Sequence, residues 1–324
     1  MKKLIAILLT LLLVFSFVGC SEAKTGEMNV YVLSGPTGIG AVNLRAESEA
    51  GKTQNTYNFS MVDANDEIIA AISNGQADIA AVATNLAATL YNKTNGGVTV
   101  LAVNTTSVLS VLTNGTEISS VDDLRGKTIY SPGQGANPEY ILRFVLNKNG
   151  INPDTDVTIN FVADGSQLPS VWAKEENKDA VILAPQPVAT SILTKYTTAK
   201  AALDMGKEWE KVSKDSALMM GCVIVRNEFL EANAGVVKTF LKEYEASVNK
   251  ALADKEGTGA LCEKYGIIPK AALATKAMDS CGLEYIDGQD MKNGLSGYLK
   301  VMFEANPKSV GGVLPADDFY YAEK

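Results

Sequence analysis

Residues 77–89 read ADIAAVATNLAAT, and residues 178–190 read KDAVILAPQPVAT. The two stretches share an aspartate, two alanines and a threonine in register. The same spacing of 101 positions relates Asp63 to Asp164 and Asp78 to Asp179, at matching ends of strand-like segments. Repetition at a fixed spacing indicates two copies of one structural unit. The sequence therefore predicts two similar lobes within one chain.

Each half of the chain alternates strand-like with helix-like segments, which is typical of parallel βαβ units. A further strand at 218–225 precedes a region that is predicted to be entirely helical. The predicted strands are 28–33, 57–62, 78–83 and 98–103 in the first half, then 127–130, 158–163, 180–184 and 200–205 in the second. The predicted helices are 41–50, 66–73, 86–92, 138–148, 166–174 and 188–196, then 233–253, 259–265, 270–280 and 289–305.

This pattern predicts an α/β fold of two similar lobes joined by two crossover strands, with the C-terminal helices packing on the first lobe. The crossover strands are expected at 107–114 and 218–226. The predicted first lobe comprises residues 28–110 and 222–324, and the predicted second lobe comprises residues 111–221.

The N-terminus predicts export. Lys2 and Lys3 precede an apolar run at 4–18, which is short for a membrane-spanning helix and typical of a signal peptide at 1–19. A retained transmembrane anchor is the alternative. Gly19-Cys20 resembles the lipobox of bacterial lipoproteins, which implies lipid (palmitate) attachment at Cys20 and firm membrane binding. The polar residues 20–27 then form a tether, so we expect an extracytoplasmic, lipid-anchored protein.

Composition argues against several functions. The chain has no histidine and a net charge of −8. Histidine is the usual general base and the commonest metal ligand, and an acidic surface disfavours nucleic acid. We therefore expect no enzyme activity, no cofactor, no metal and no nucleic-acid partner. The cysteine spacing matches no zinc site, and a Cys222–Cys281 disulfide with Cys262 buried in a helix is predicted against the alternative of three free thiols.

Several motifs, in their order, resemble the periplasmic-binding-protein-like family that serves nitrate, sulfonate, taurine and thiamine-pyrimidine ABC importers. They are VDDLRGKTIY at 121–130, NGQADIA at 74–80, GIIP at 266–269 and ANPKS at 305–309. The resemblance covers nearly the whole mature chain and implies the type II periplasmic binding protein fold. It also implies a monomer that captures a small solute and delivers it to an ABC permease and its ATPase. The ligand-clamping arginine of the family has no matching position here.

Candidate ligand-binding residues follow the predicted strands, because ligands of open α/β sheets bind beyond the carboxyl ends of the strands. Two glycine-containing turns, 34–40 and 131–137, open helices in the two halves, where backbone N–H groups favour a polar or anionic group. The other candidates follow later strands. The predicted set is Ser34, Gly35, Thr37, Gly38, Thr84, Asn85, Asn104, Ser131, Gly133, Gln134, Gly135 and Gln186.

The ligand itself stays open at this point. The chain has four arginines, each expected at the surface, so a neutral or singly charged ligand is favoured over a dianion. Tyr130, Tyr140 or Trp172 would stack on such a ligand, although core positions are the commoner role of aromatic residues. Sulfonate, nitrate, a pyrimidine, a vitamin precursor and an aromatic acid all fit. The alternative functions are an enzyme of the same fold acting on a small carboxylic acid, and a lipid-anchored adaptor.

Overall fold

The structure of the protein is a computed structural model that describes residues 25–174, 179 and 181–322. The predicted signal peptide at 1–19 and the lipidation site at Cys20 lie outside the described residues. Among the described helices, none is both long and apolar enough to cross a membrane.

The described strands form one six-stranded and one five-stranded sheet. The first sheet contains β1 (Glu27–Leu33), β2 (Thr56–Val62), β3 (Ile79–Ala83), β4 (Val98–Thr105), β10 (Gly221–Arg226) and β11 (Leu283–Ile286). The second contains β5 (Leu109–Asn114), β6 (Thr128–Ser131), β7 (Thr158–Phe161), β8 (Val181–Pro185) and β9 (Ala199–Asp204).

The two sheets share one topology. The first has the order β2-β1-β3-β10-β4-β11 and the second has the order β7-β6-β8-β5-β9. In the order given, one strand lies between the third and the fourth of the parallel strands and runs antiparallel to both of them. This strand is β10 in the first sheet and β5 in the second. β1 to β4 therefore correspond to β6 to β9, and the predicted fold of two similar α/β lobes is confirmed.

The chain passes between the sheets twice, through residues 106–108 and 213–220. β5 and β10 each lie wholly within one sheet, so these passages are irregular segments rather than parts of the strands expected at 107–114 and 218–226. Only three residues separate the end of β4 from the start of β5, and Leu109 of β5 pairs with Pro185 at the carboxyl end of β8. The carboxyl edges of both sheets are thereby held next to each other.

The described helices flank both sheets. α10 and α11 pack against α2, and α10 also contacts β11, so the predicted C-terminal packing on the first sheet is present. α13 contacts both α4 and α5 and therefore touches both lobes. The helices are α1 (Pro36–Ile39), α2 (Val42–Glu49), α3 (Asn65–Ser73), α4 (Thr84–Lys93), α5 (Asn137–Lys148), α6 (Leu168–Trp172), α7 (Val188–Lys195), α8 (Met205–Val212), α9 (Asn227–Ala232), α10 (Ala234–Ala253), α11 (Lys255–Lys264), α12 (Ala271–Ala277) and α13 (Gly288–Ala305).

The expectation that every element after residue 226 is helical is wrong at β11. This strand has four residues, LEYI, and it pairs only with β4 at the edge of the first sheet. So short an alternation of buried and exposed residues carries little strand signal in the sequence, and the pairing with β4 decides its conformation.

A continuous apolar cluster joins the two lobes on one side. It runs from Val82 and Val103 of the first sheet to Val111 and Ile129 of the second, through Trp209, Met219, Tyr298 and Met302. A second cluster lies between the other face of the first sheet and α10 to α12. Because buried apolar surface resists separation, this cluster holds the two lobes together on the side of α13.

The predicted Cys222–Cys281 disulfide is wrong, because Cys222, Cys262 and Cys281 are all free and buried. Cys222 faces the cluster that joins the lobes, whereas Cys281 packs in the cluster on the opposite face of the first sheet. Successive residues of a strand point to opposite faces, so the sheet itself separates the two sulfur atoms. Burial raises the pKa of the Cys262 and Cys281 thiols to about 12, and both stay protonated near neutral pH.

Candidate functional site

The candidate site is the gap between the two carboxyl edges. Helix α4 begins there after β3, and helix α5 begins there after β6. Asn137, the first residue of α5, donates a hydrogen bond from Nδ2 to Oδ1 of Asn85 in α4 at 3.1 Å. The N-termini of one helix from each lobe therefore meet across the gap. Neither helix has a side-chain cap. The N–H of Thr84 donates to the carbonyl of Met220 at 3.0 Å, and Pro138 has no N–H, so a ligand or water can bind only the remaining N–H groups of these first turns.

Asn137 is a site residue that the sequence analysis missed, although it ends the predicted turn 131–137. Its exposed fraction is 8%. Among the residues that the structure describes, Oδ1 of Asn137 has no hydrogen-bond partner. The sequence offered one clue to this residue. Asn85 and Asn137, 52 positions apart, each follow a predicted strand, and the two strands belong to different lobes. Only the packing of the lobes shows that the two amides meet.

The second-lobe turn has the backbone conformation that glycine permits. Gly133 has φ +76° and Gly135 has φ +72°, both in the left-handed region. The N–H of Gly135 donates to Oε2 of Glu139 at 2.7 Å, which holds the turn against the first turn of α5. Ser131 is fully buried and its Oγ donates to the carbonyl of Pro132, whereas Gln134 is exposed. The turn is thus fixed internally, with Gln134 at its tip.

Tyr140 supports this turn from behind. Its hydroxyl donates to the carbonyl of Gly135 at 2.9 Å and accepts from Nδ2 of Asn306 at 2.8 Å. Asn306 lies just beyond α13, so the turn is connected to the helix that touches both lobes. Tyr140 and Trp172 are both buried in apolar clusters, which agrees with core roles rather than with stacking on a ligand.

The first-lobe turn is held by contacts with the end of β1 and with the 266–269 loop. Gly35 has φ +93°, and its N–H donates to the carbonyl of Ile267 at 2.9 Å. Gly38 is buried, and an added Cβ would lie 2.7 Å from the carbonyl oxygen of Leu33 and 2.6 Å from Cδ1 of Ile267. Packing against the strand and the 266–269 loop therefore requires glycine at position 38. Ser34 and Thr37 are half-buried in this turn, on the same edge of the sheet as Asn85.

Two of the predicted ligand-binding residues make buried hydrogen bonds within the protein. Asn104 is fully buried, and its Nδ2 donates to the carbonyl of Thr37 at 3.0 Å and to the hydroxyl of Tyr244 at 2.8 Å. Thr84 is fully buried as well, and its Oγ1 donates to the carbonyl of Met219 at 2.6 Å. Asn104 fixes the first-lobe turn, and Thr84 fixes the second passage between the lobes.

Gln186 occupies the position in the second lobe that corresponds to Asn85. It is 5% exposed, and its Oε1 accepts from Oγ1 of Thr190 at 2.7 Å and from the N–H of Thr190 at 3.2 Å. Its own N–H donates to the carbonyl of Val108 in the first passage at 2.8 Å. Gln186 therefore ties the start of α7 to the crossover.

All four arginines of the chain are held in ion pairs with acidic residues. Arg226 pairs with Asp78 at 2.9 Å near the amino end of β3, away from the gap. The other pairs are Arg45 with Glu49, Arg125 with Asp156, and Arg143 with both Glu139 and Asp154. An anionic ligand in the gap would thus be bound by N–H and amide groups rather than by a guanidinium group.

Comparison with known proteins agrees with the two-lobed fold. A family model described as "ABC transporter, phosphonate, periplasmic substrate-binding protein" matches residues 49–173. A protein described as an ABC transporter from Parabacteroides distasonis has a TM-score of 0.76 at 20% identity, covering 92% of this chain and 99% of its own. The aliphatic sulphonate binding protein SsuA from Escherichia coli has a TM-score of 0.70 at 12% identity, covering 92% of each chain.

A third structure, the alkanesulfonate-binding protein SsuA from Xanthomonas axonopodis pv. citri bound to MOPS, has a TM-score of 0.59 at 13% identity, covering 90% of this chain and 94% of its own. No curated protein sequence matches the chain. At these identities the structural likeness concerns the fold. The resemblance predicted from the sequence and the two-lobed fold that it implied are confirmed.

Proposed function

We propose that this chain, a substrate-binding component of an ABC transporter, binds a small, singly charged organic oxyanion between its two lobes and delivers it to the permease. Its assignment to that class rests on the family match at 49–173 and on the shared fold. The ligand class and the binding residues are the proposed parts. The lobe boundaries are proposed to lie in the passages at 106–108 and 213–220 rather than at 110/111 and 221/222, because β5 begins at Leu109 and β10 begins at Gly221.

The meeting of α4 and α5 across the gap is the observation that supports an oxyanion. Helix N-termini attract negative charge through their unpaired N–H groups and the helix dipole, and here one from each lobe faces the same space. With every arginine in an ion pair, the site lacks the strong positive charge that a dianion requires. The single negative charge of a monoanion can be offset by the partial positive charges of two helix N-termini and by hydrogen bonds from amide groups. We place the ligand against Ser34, Gly35, Thr37, Asn85, Gly133, Gly135 and Asn137.

The chemistry of the site favours binding without turnover. The chain has no histidine, and the Cys262 and Cys281 thiols are kept protonated by burial. Nucleophilic or general-base catalysis near neutral pH needs a group that is activated and exposed to the substrate. Binding followed by closure of the lobes needs only contacts that form when both turns face the ligand. We therefore retain a binding protein over an enzyme of the same fold.

Ligand-dependent stabilisation is the direct test of this function. The chain beginning at Ser21 should show a saturable rise in melting temperature with an alkanesulfonate or alkylphosphonate. At 100 times Kd, a ligand that binds only the folded state adds about 2.7 kcal/mol, which corresponds to a rise of several degrees. Mass spectrometry of the recovered ligand should show no chemical change. A rise with no saturation, or a modified product, would contradict solute binding.

Membrane attachment is proposed to depend on Cys20. Replacing Cys20 by Ala should move the protein from the membrane fraction to the soluble fraction after cell lysis, because the acyl chains that hold it are lost. Ligand-induced stabilisation of the released protein should be unchanged. Cys262→Ala, a substitution at a buried thiol, is the matched control and should leave the protein with the membrane. A Cys20→Ala chain that stays membrane-bound would indicate that the apolar run at 4–18 is the anchor.

A further inference from the structure

Asn137 differs from the other polar residues of the gap in having a buried amide oxygen that accepts no hydrogen bond from the described residues. Its Nδ2 donates to Asn85 across the gap at 3.1 Å. Its Oδ1 is buried and, within the described part of the chain, accepts no hydrogen bond. Buried carbonyl oxygens without a donor are uncommon in folded proteins, because the lost hydration is not replaced. The site therefore lacks a donor at this atom.

The unpaired oxygen makes closure of the empty gap unfavourable. When α4 and α5 approach each other, the Asn85–Asn137 hydrogen bond forms. Oδ1 of Asn137 then loses its hydrogen bonds to water and gains none from the protein. A ligand that places a donor against Oδ1 removes this penalty. Ligands shift a conformational equilibrium only through contacts that differ between its states, and this contact exists only in the closed state.

The surroundings of Oδ1 favour a neutral donor over a charged one. A buried ammonium group requires a carboxylate beside it, since a neutral amide oxygen does not replace its hydration. The carboxylate of Glu139, in the first turn of α5, is already engaged by Arg143 at 2.7 Å and by the N–H of Gly135. A hydroxyl group loses less hydration on burial and can also accept a hydrogen bond from the Asn85 amide.

We infer that Asn137 selects ligands that carry a hydroxyl group or an amide N–H beside the anionic group, and that its Oδ1 couples this recognition to closure of the lobes. The inference rests on the proposed binding between the lobes. It adds the ligand feature that distinguishes this chain from a receptor for simple oxyanions.

The test compares ligands that differ only in the donor. Affinities are measured by calorimetry for ethanesulfonate against hydroxyethanesulfonate, and for ethylphosphonate against hydroxyethylphosphonate, with aminoethanesulfonate and the neutral compound glycolamide added. The hydroxylated member of each pair should bind about tenfold more tightly or better, and the ammonium group should give no such gain. Asn137→Leu should reduce the ratio within each pair to about one.

Each outcome decides the inference. Equal affinities within each pair, a ratio that persists in Asn137→Leu, or no response to any hydroxyl-bearing probe would overturn it. Binding of glycolamide alone, dependent on Asn137, would retain the role of Oδ1 and refute the proposed oxyanion. Asn147→Leu, the same substitution at an exposed position in the last turn of α5, is the matched control and should leave the ratio unchanged.

Discussion

Replacing Trp209 by Ala is expected to lower the free energy of unfolding by about 3–5 kcal/mol. Trp209 is fully buried, with its ring centroid 4.2 Å from that of Phe144 and 5.8 Å from that of Tyr298. Its indole N–H also donates to Oγ of Ser216 at 3.0 Å. The side chain thus joins α8, α5, α13 and the second passage between the lobes. Urea denaturation followed by circular dichroism measures the change.

Trp172→Ala provides the matched control, because Trp172 is also buried but packs within the second lobe alone. Both substitutions should destabilise the protein through a cavity of similar size. Only Trp209→Ala should also loosen the junction between the lobes, which small-angle scattering would detect as a larger radius of gyration in the folded state. An equal radius for the two folded variants would argue that Trp209 does not hold the lobes together.

Replacing Gly297 by Ala should displace the second passage and lower both stability and ligand affinity. An added Cβ would lie 2.3 Å from the backbone oxygen of Asp215 and 2.7 Å from Cβ of Ser216, so segment 213–220 would have to move away from α13. Overpacking of this kind costs about 1–3 kcal/mol, against a gain of up to about 1 kcal/mol from helix propensity. We expect this passage to set the angle between the lobes, so the affinity for an alkanesulfonate should fall as well.

Gly294→Ala, one turn earlier on the same face of α13, separates the two effects. Its added Cβ would meet Cε of Met219 at 2.2 Å, which is the flexible end of a long side chain and can move aside. The gain in helix propensity is the same, so Gly294→Ala should be close to neutral in thermal unfolding and should keep its affinity. If Gly297→Ala were equally neutral, the passage would have to be free to shift, and its proposed role in setting the lobe angle would be wrong.

The glycines of the two turns illustrate what a sequence can and cannot predict about a site. Both turns were predicted from glycine and serine after strands, and both do have residues with positive φ. The roles differ because of tertiary packing. Position 38 requires glycine because Leu33 and Ile267 leave no room for a Cβ atom. Gly133 and Gly135 instead provide the positive φ angles of a turn that ends at Asn137. No local pattern distinguishes a glycine that admits a ligand from one that admits a neighbouring side chain.

Asn104 and Thr84 show the same limit for polar side chains. Each follows or ends a strand on the correct edge, which is why both were predicted to bind the ligand. In the structure their hydrogen bonds go to Tyr244, Thr37 and Met219, all of which lie far away in the sequence. A buried amide or hydroxyl bonds whichever group packing brings near, and sequence position alone does not identify that group.

The amino-acid sequence by itself determined the number of lobes and the alternation of strands and helices, and it predicted the edge of each sheet where we propose that a ligand binds. These features follow from the periodicity of apolar residues and from the 101-residue repeat. Both can be found in the sequence without knowing which distant residues are in contact. Tertiary structure alone decided that Cys222 and Cys281 lie on opposite faces of the first sheet, that β11 is a strand, and that Asn137 meets Asn85 across the gap. Each of these depends on contacts between residues distant in sequence, whose partners are set by how the two sheets and α13 pack together.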